Sequence, residues 1–201
     1  AARLAGVKDF VVPLVIGEDV RDWVLAPETL TVFPYDEEEA TVLDPAPSNL
    51  SRYFWPYRTN LSNRVDFGQT ILERGLAWYE HCMFFRDRFR TPLSIAFAEV
   101  ATHNHFVLDR GGKVFNRSAP VIKLPEGASE DDHLALLGVL NSSTACFWLK
   151  QNSHNKGSTV DSKGARQTQV PWEDFYEFTG TTLKDFPLPS DLPLSRGASL
   201  D

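Results

Sequence analysis

The chain has 201 residues, 42% of them hydrophobic and 12% aromatic, which is enough to fill the core of one ordinary domain and excludes wholesale disorder. The formal net charge of −7 excludes a uniformly basic nucleic-acid binder but leaves room for a confined basic patch. There is no charged-then-apolar leader, and no apolar run approaches the roughly 20 residues of a membrane span. We therefore expect a cytoplasmic protein in which Cys82 and Cys146 are buried free thiols.

The first half of the chain predicts short strands and helices in alternation. The apolar run at 10–16 predicts a buried strand, and a turn at 17–23 is predicted to lead into a short helix. Alternating side chains at 29–34 predict a half-buried strand, followed by an acidic loop. Residues 49–63 have helical spacing, with Ser48 as the expected N-cap and Pro56 as a kink or break. A second helical region is predicted at 69–82.

The second half of the chain predicts strands first and helices afterwards. Candidate strands lie at 92–101, 105–108, 114–116 and 120–124, with a hairpin turn predicted at 109–112. Ser129 is the expected cap of a helix that begins at Glu130, and a second helix is expected at 144–151. Residues 152–170 predict a loop. The predicted fold class is α+β, with a small mixed or antiparallel sheet flanked by several helices.

The sequence contains no catalytic motif. A methyltransferase that acts on an amino group needs Asn/Asp-Pro-Pro-aromatic, and the segments at 33–35 (FPY) and 55–57 (WPY) lack the polar first residue and the second proline. No Gly-rich strand-to-helix turn is present for a nucleotide cofactor. His103-Asn104-His105 spells HNH, but nucleases of that class spread these residues over a metal-binding motif, so surface or edge histidines are the preferred interpretation. We expect no catalytic residue, metal or cofactor in this chain.

Two segments carry groups that suit contacts with DNA. The alternating arginines at 86–90 would share one face of an extended segment. Two interpretations remain: the arginines contact phosphates, or they lie on a solvated, salt-bridged strand. The polar stretch 152–169 combines cations with side-chain amides, which contact phosphates and read base edges, although a mobile solvent loop is the alternative. The candidate DNA-contacting residues are Arg86, Arg88, Arg90, Arg110, Arg117, His154, Asn155, Lys156, Lys163, Arg166 and Gln167.

Several motifs, taken in order, resemble known recognition regions. The segments VPLVIGEDV (12–20), FPYD (33–36) and LLGVLNSS (136–143) resemble the target-recognition regions of type I and type IIG restriction-modification proteins. The segments ACFWLK (145–150), HNKG (154–157), WEDFYEFTGT (172–181) and FPLP (186–189) are similar to the PglX methyltransferases of BREX phage-defence systems. The resemblance covers most of residues 10–190.

The resemblance implies a function that composition does not show. Residues 1–190 would form a DNA target-recognition domain of a larger N6-adenine DNA methyltransferase, and residues 191–201 an extended or disordered tail. The implied partners are double-stranded DNA, a catalytic domain in the same polypeptide that binds S-adenosylmethionine, and other defence-system proteins. The alternative is a protein–protein interaction module that docks a defence-system partner through its acidic surface. A third class, an independent hydrolase or nuclease, has no motif in its favour.

Overall fold

The computed structural model describes residues 6–21, 23–36, 38–90, 93–158, 170 and 173–201, without the side chains at positions 88 and 90. The fold is mixed α+β with small sheets and several helices, as the sequence predicts. The chain divides into two compact units. Unit 1 comprises Ala1–Pro13 and Leu30–Thr91, and unit 2 comprises Leu14–Thr29 and Pro92–Asp201.

The strands are short. They are β1 (Val11–Val15), β2 (Val20–Arg21), β3 (Val24–Leu25), β4 (Thr29–Val32), β5 (Val65–Asp66), β6 (Gln69–Thr70), β7 (Ser94–Phe97), β8 (Val100–Ala101), β9 (Phe106–Asp109), β10 (Val114–Phe115), β11 (Val121–Ile122), β12 (His154–Gly157) and β13 (Phe175–Glu177). The helices are α1 (Ser48–Phe54), α2 (Arg58–Ser62), α3 (Arg86–Arg90), α4 (Glu130–Leu140), α5 (Ser143–Asn152), α6 (Gly180–Lys184) and α7 (Leu194–Leu200). Single 3-10 turns occur at Lys8–Phe10, Gly17–Asp19 and Trp55–Tyr57.

Unit 2 contains two three-stranded antiparallel sheets, ordered β11–β7–β9 and β12–β13–β8. Every residue of β7 and β9 is buried, which explains why both strands are apolar without alternation except at Ser94 and Asp109, their end residues. In the same unit, Leu14 and Val15 of β1 pair in parallel with Val114 and Phe115 of β10. The strands predicted at 105–108, 114–116 and 120–124 are present with somewhat different bounds, whereas the single strand predicted at 92–101 is divided into β7 and β8, which belong to different sheets.

The turn at 109–112 forms but does not close the predicted hairpin. Gly111 and Gly112 adopt φ values of 100° and 75°, and the Asp109 carboxylate accepts a hydrogen bond from the Gly111 N–H at 3.1 Å. Among the described strands, however, β9 pairs with β7, and β10 pairs with β1. The hairpin prediction is therefore wrong: the turn forms, but the strands before and after it pair with other strands and not with each other.

Two helices predicted in the first half of the chain do not form. The helix expected at 69–82 is absent: its first two residues belong to β6, which forms a hairpin with β5 in which Phe67 and Gly68 both have positive φ, 52° and 79°, and residues 71–80 form turns. Such a loop matches the twist of the flanking strands and ends any helical run. The helix expected after Gly17 is likewise absent, since a 3-10 turn leads directly into the β2–β3 ladder.

The helix predicted at 49–63 breaks at Pro56, as expected. Helix α1 ends at Phe54, a 3-10 turn carries the proline, and α2 begins at Arg58. The prediction that Ser48 is the N-cap is wrong, because Pro47 occupies that position and no side chain caps the helix.

Helix α4 lies at the centre of unit 2. Ser129 caps it through a reciprocal pair with Asp132, in which the Asp132 carboxylate accepts the Ser129 N–H at 2.8 Å, as the sequence predicts. Every residue from His133 to Leu140 is buried, and the helix packs against β7, β9, α5 and α7. A helix buried on all sides carries no amphipathic pattern.

Helix α7 packs closely on α4 through two glycines. The sequence predicts an extended or disordered tail at 191–201, whereas the structure has a helix over Leu194–Leu200. A Cβ atom added at Gly197 would collide with the Leu134 carbonyl, and one added at Gly138 would lie 3.1 Å from the Pro193 carbonyl oxygen. The two backbones therefore approach to a distance that only glycine allows.

We predict that Gly197→Ala destabilises unit 2 by about 1–3 kcal/mol, because the added methyl group forces α7 away from α4. The matched control is Gly180→Ala at the start of α6, where an added Cβ would meet no atom within 4 Å. Urea unfolding followed by circular dichroism measures both variants. Equal stabilities of the two variants would show that α7 does not pack on α4.

Unit 1 contains an aromatic cluster around His81. The His81 backbone N–H donates to Tyr35 Oη at 2.8 Å, and its ring Nε2 lies 2.8 Å from the Val32 carbonyl oxygen. Since a carbonyl only accepts, Nε2 carries the proton of the neutral ring. Burial lowers the pKa of His81 from its usual 6.5, against the opposing effect of the Val32 hydrogen bond.

The lowered pKa of His81 predicts a loss of stability in acid. Well above pH 6.5 the ring is neutral in the folded and the unfolded protein, and the free energy of unfolding does not depend on its titration. As the pH falls below 6.5, the unfolded chain binds a proton before the folded protein does. The free energy of unfolding therefore decreases until the pH reaches the lower pKa of the folded state. His81→Gln keeps an N–H donor but does not titrate. Its Tm should therefore fall less than that of the wild type between about pH 7.5 and 5.5. The exposed His103→Gln serves as the control, and parallel Tm curves for wild type and His81→Gln would contradict the prediction.

Candidate nucleic-acid interface

The sheet β12–β13–β8 separates its side chains onto two faces. Directly opposite residues on paired antiparallel strands share a face. One face consequently carries His154, Glu177 and Val100, and the other carries Asn155, Tyr176 and Ala101. Residues 152–170, predicted as a loop, thus contain a strand at His154–Gly157.

The first of these faces collects cations from distant parts of the chain. Lys156 Nζ lies 2.9 Å from Glu177 Oε2, and Arg117 Nε lies 3.9 Å from Glu99 Oε2, next to β8. The Lys156 hydrogen bond is the main cause that lowers the pKa of Glu177, and the charges of His154 and Arg117 act in the same direction. Lys156 thus pairs with Glu177, His154 lies directly opposite Glu177 on the neighbouring strand, and Arg117 lies beside Glu99 just before β8. We call the surface formed by Arg117, His154 and Lys156 the basic sheet face.

The groups on the basic sheet face are accessible to a large ligand. The Arg117 side chain is 88% exposed and that of Lys156 is 42% exposed. His154 is exposed as well, and β12 is the outer strand among the described strands of its sheet. This arrangement suits contact with phosphate groups, which accept charge-assisted hydrogen bonds from Arg and Lys.

Asn155 lies on the opposite face and is held by local contacts. Its amide nitrogen donates to Asp174 Oδ2 at 3.0 Å, and its oxygen accepts the Gly157 N–H at 2.6 Å. The pairing register shifts between Asn155 and Gly157, so the side chain supports a β-bulge. Beside it, the Lys150 ammonium lies 5.2 Å from the centre of the Tyr176 ring.

The structure gives a separate account of Arg86 and Arg110, two further predicted DNA contacts. Arg86 begins helix α3, so the prediction of an extended segment at 86–90 is wrong. A helix turns by about 100° per residue, and positions two apart do not share a face. Arg110 is paired with Glu130 at 2.6 Å and with Asp201 at 2.5 Å. The side chains of Arg88 and Arg90, and residues Lys163, Arg166 and Gln167, lie outside the described residues.

The histidine triplet is part of the scaffold. His103 is exposed, as predicted, but the prediction is wrong for His105, which is 4% exposed. Asn104 is also buried and donates to the Leu140 carbonyl at 2.5 Å. An open cleft of about 250 Å³ lies beside the triplet, with Trp23 on its wall. The described residues include no group of three or more side chains placed to hold a metal ion.

Asn141 joins the end of α4 to strand β9. Its oxygen accepts the Phe106 N–H at 3.0 Å, and its amide donates to the Phe106 carbonyl at 2.8 Å. The side chain thus continues the sheet at the free edge of β9. We infer that this asparagine is structural rather than a DNA contact.

We predict that Asn141→Ala lowers the free energy of unfolding by about 1–3 kcal/mol, because both polar groups of Phe106 lose their partner. Asn152→Ala is the control: its amide donates to the Trp148 carbonyl at 2.8 Å on an exposed helix end, and its loss should cost less. The two costs are measured by urea unfolding, and an equal cost would argue against the bridging role of Asn141.

One exposed segment was missed by the sequence reasoning. Residues 55–60 (WPYRTN) are all exposed, and Trp55 is 64% exposed. The available signal was charge, since residues 45–65 contain three arginines and no acidic residue in a chain of net charge −7. The sequence patterns indicate only a broken helix and an imperfect methyltransferase motif in this segment.

Comparison with known proteins supports the resemblance. No protein-family model matches the chain. The chain is 49% identical over 195 residues, 96% of its length, to the adenine-specific methyltransferase PglX of Streptomyces coelicolor. The predicted similarity to PglX is confirmed. The chain spans only 16% of the length of that relative. No described helix is long and apolar enough to cross a membrane.

Proposed function

We propose that the chain is a double-stranded DNA recognition module of an S-adenosylmethionine-dependent N6-adenine DNA methyltransferase in a phage-defence or restriction-modification system. The observation that carries the proposal is the gathering of Arg117, His154 and Lys156 on one exposed sheet face. Arg117 comes from a segment distant in sequence from β12, which carries His154 and Lys156, and the sequence predicts all three as DNA contacts. The identity with PglX supports the wider assignment.

The net charge of −7 confines DNA to a small part of the surface. Phosphates are repelled by acidic regions such as the first turn of α4, which carries Glu130, Asp131 and Asp132. On the basic sheet face, the two acids Glu99 and Glu177 are paired with cations. Exposed ion pairs of this kind are worth about 0–1 kcal/mol. Lys156 can therefore exchange Glu177 for a phosphate at little cost.

The strand pair β12–β13 offers a docking element of suitable shape. The major groove is about 12 Å wide and admits a two-stranded β-ribbon. His154 and Lys156 lie on the outer strand of this pair, and Arg117 lies 3.9 Å from Glu99, just before β8. In sequence, β12 is followed directly by the polar stretch with Lys163, Arg166 and Gln167. Lys163, Arg166 and Gln167 lie outside the described residues and remain proposed DNA contacts on their side-chain chemistry alone, with the amide of Gln167 suited to reading a base edge.

The chemistry of methyl transfer belongs to another part of the polypeptide. The chain has no Asn/Asp-Pro-Pro-aromatic motif, and the relative is about six times longer. In the proposed arrangement, this chain positions the DNA site, and a catalytic domain in the same polypeptide binds S-adenosylmethionine and receives the target adenine. Other defence-system proteins are proposed partners of the whole protein.

We predict that the double variant Arg117→Ala/Lys156→Ala binds duplex DNA more weakly and with less dependence on salt. Each lost phosphate contact should reduce the slope of log K against log salt by about 0.9. Fluorescence anisotropy with a labelled duplex over a salt series gives both quantities. Lys184→Ala/Arg196→Ala removes the same charge from exposed positions on α6 and α7 and should leave the slope unchanged.

Two results would contradict the DNA proposal. One is wild-type binding that does not weaken with salt, since phosphate contacts require counterion release. The other is an equal loss of affinity in the two double variants, which would indicate unspecific attraction. If the chain binds no duplex but retains a defence-system protein in a pull-down, the protein-interaction alternative holds instead.

A further inference from the structure

A surface on unit 1 presents aromatic and cationic side chains to solvent. The run from Trp55 to Asn60 covers the 3-10 turn and the start of α2, and all six residues are exposed. Trp55 is 64% exposed and Tyr57 is 43% exposed. A tryptophan left this open is unusual, because burying a large aromatic ring is strongly favourable.

The backbone beneath this surface is firmly packed. Leu50 of α1 is completely buried. Phe54 stacks on Tyr79, with ring centres 5.9 Å apart and planes within 15°. Tyr79 in turn donates its hydroxyl to the Leu43 carbonyl at 2.7 Å. The outward side chains thus project from an ordered support, which limits the entropy lost when they bind a ligand.

The charge of this surface is positive. The Arg58 guanidinium lies 5.3 Å from the centre of the Trp55 ring. Arg52 lies three residues before Trp55 along the helical path and is exposed. Within the described part of the chain, neither arginine forms an ion pair. Both cations are available to a ligand.

The composition of the surface favours a nucleic acid over a protein. Protein interfaces also use Trp, Tyr and Arg, but they surround them with apolar contacts. Apart from Pro56, no aliphatic side chain is exposed between 51 and 64. Stacking of a base on an aromatic side chain is worth about 1–3 kcal/mol, and a neighbouring arginine neutralises the phosphate. In a duplex both faces of each base are covered, so the matching ligand is a base outside the stack.

We propose that Trp55, Arg58 and Arg52 form a binding site for an unpaired nucleotide, in which the indole stacks on the base and the guanidinium groups contact the flanking phosphates. The assignment of that nucleotide to DNA rests on the proposed function. The site itself rests only on the geometry of unit 1.

The test measures binding of fluorescein-labelled oligo-dT, which forms no duplex, by anisotropy. Trp55→Ala should weaken binding by about 10-fold or more, whereas Trp55→Phe, which keeps a stacking ring, should retain most of it. Arg58→Gln should reduce the salt slope by about 0.7. Phe67→Ala, at an aromatic position that is 81% exposed elsewhere in unit 1, should have no effect. Circular dichroism confirms that each variant is folded.

Comparing the variants shows whether oligo-dT binds at the Trp55 site or at the basic sheet face. Binding of oligo-dT that survives Arg117→Ala/Lys156→Ala but not Trp55→Ala supports the site, even if the wild type binds no duplex and the proposed function fails. Equal oligo-dT binding by the wild type and Trp55→Ala overturns it, and so does a wild type that binds duplex but no oligo-dT.

Discussion

Burial of α4 on every side is the constraint on which the rest of unit 2 depends. The helix can lie inside the unit because its capping box provides hydrogen-bond partners at its first turn. At its other end, the Asn141 side chain forms hydrogen bonds with strand β9. One side packs on β7 and β9, and the other side receives α7 at a glycine contact. An apolar helix of this kind would be insoluble alone, so its covering elements are structural requirements.

The basic sheet face follows from this core. Ala101 and Phe178 are buried in the same cluster as the leucines of α4, and the Phe178 N–H donates to the Glu99 carbonyl at 2.7 Å. The inner side of β8–β13 is thereby fixed, and the outer side is left for polar groups. Arg117 lies near this sheet because the backbone carbonyl of its neighbour Ser118 accepts a hydrogen bond from the Glu99 N–H at 3.0 Å. An acidic protein thus concentrates cations where the backbone is most firmly held.

The two proposed contact surfaces differ in chemistry. The basic sheet face offers charge and hydrogen-bond donors, which suit the phosphates of a duplex. The surface around Trp55 offers a stacking ring with arginines, which suits a base outside the stack. An enzyme that modifies a base must hold a duplex and also accommodate an extruded nucleotide. A recognition module with both kinds of surface is consistent with that requirement.

The sequence by itself determined features that depend on near neighbours. The cap at Ser129, the break at Pro56 and strand segments at β7 and β9 follow from the sequence, because caps, proline and apolar runs act locally. Tertiary structure decided which strands pair: it separated β9 from β10 across a good turn, and it put a strand and turns where a helix is predicted at 69–82. It also placed Arg117 beside Glu99, paired Lys156 with Glu177 and paired Arg110 with two carboxylates. Such choices depend on contacts between distant segments, and local sequence patterns carry no information about which distant segment will be nearby.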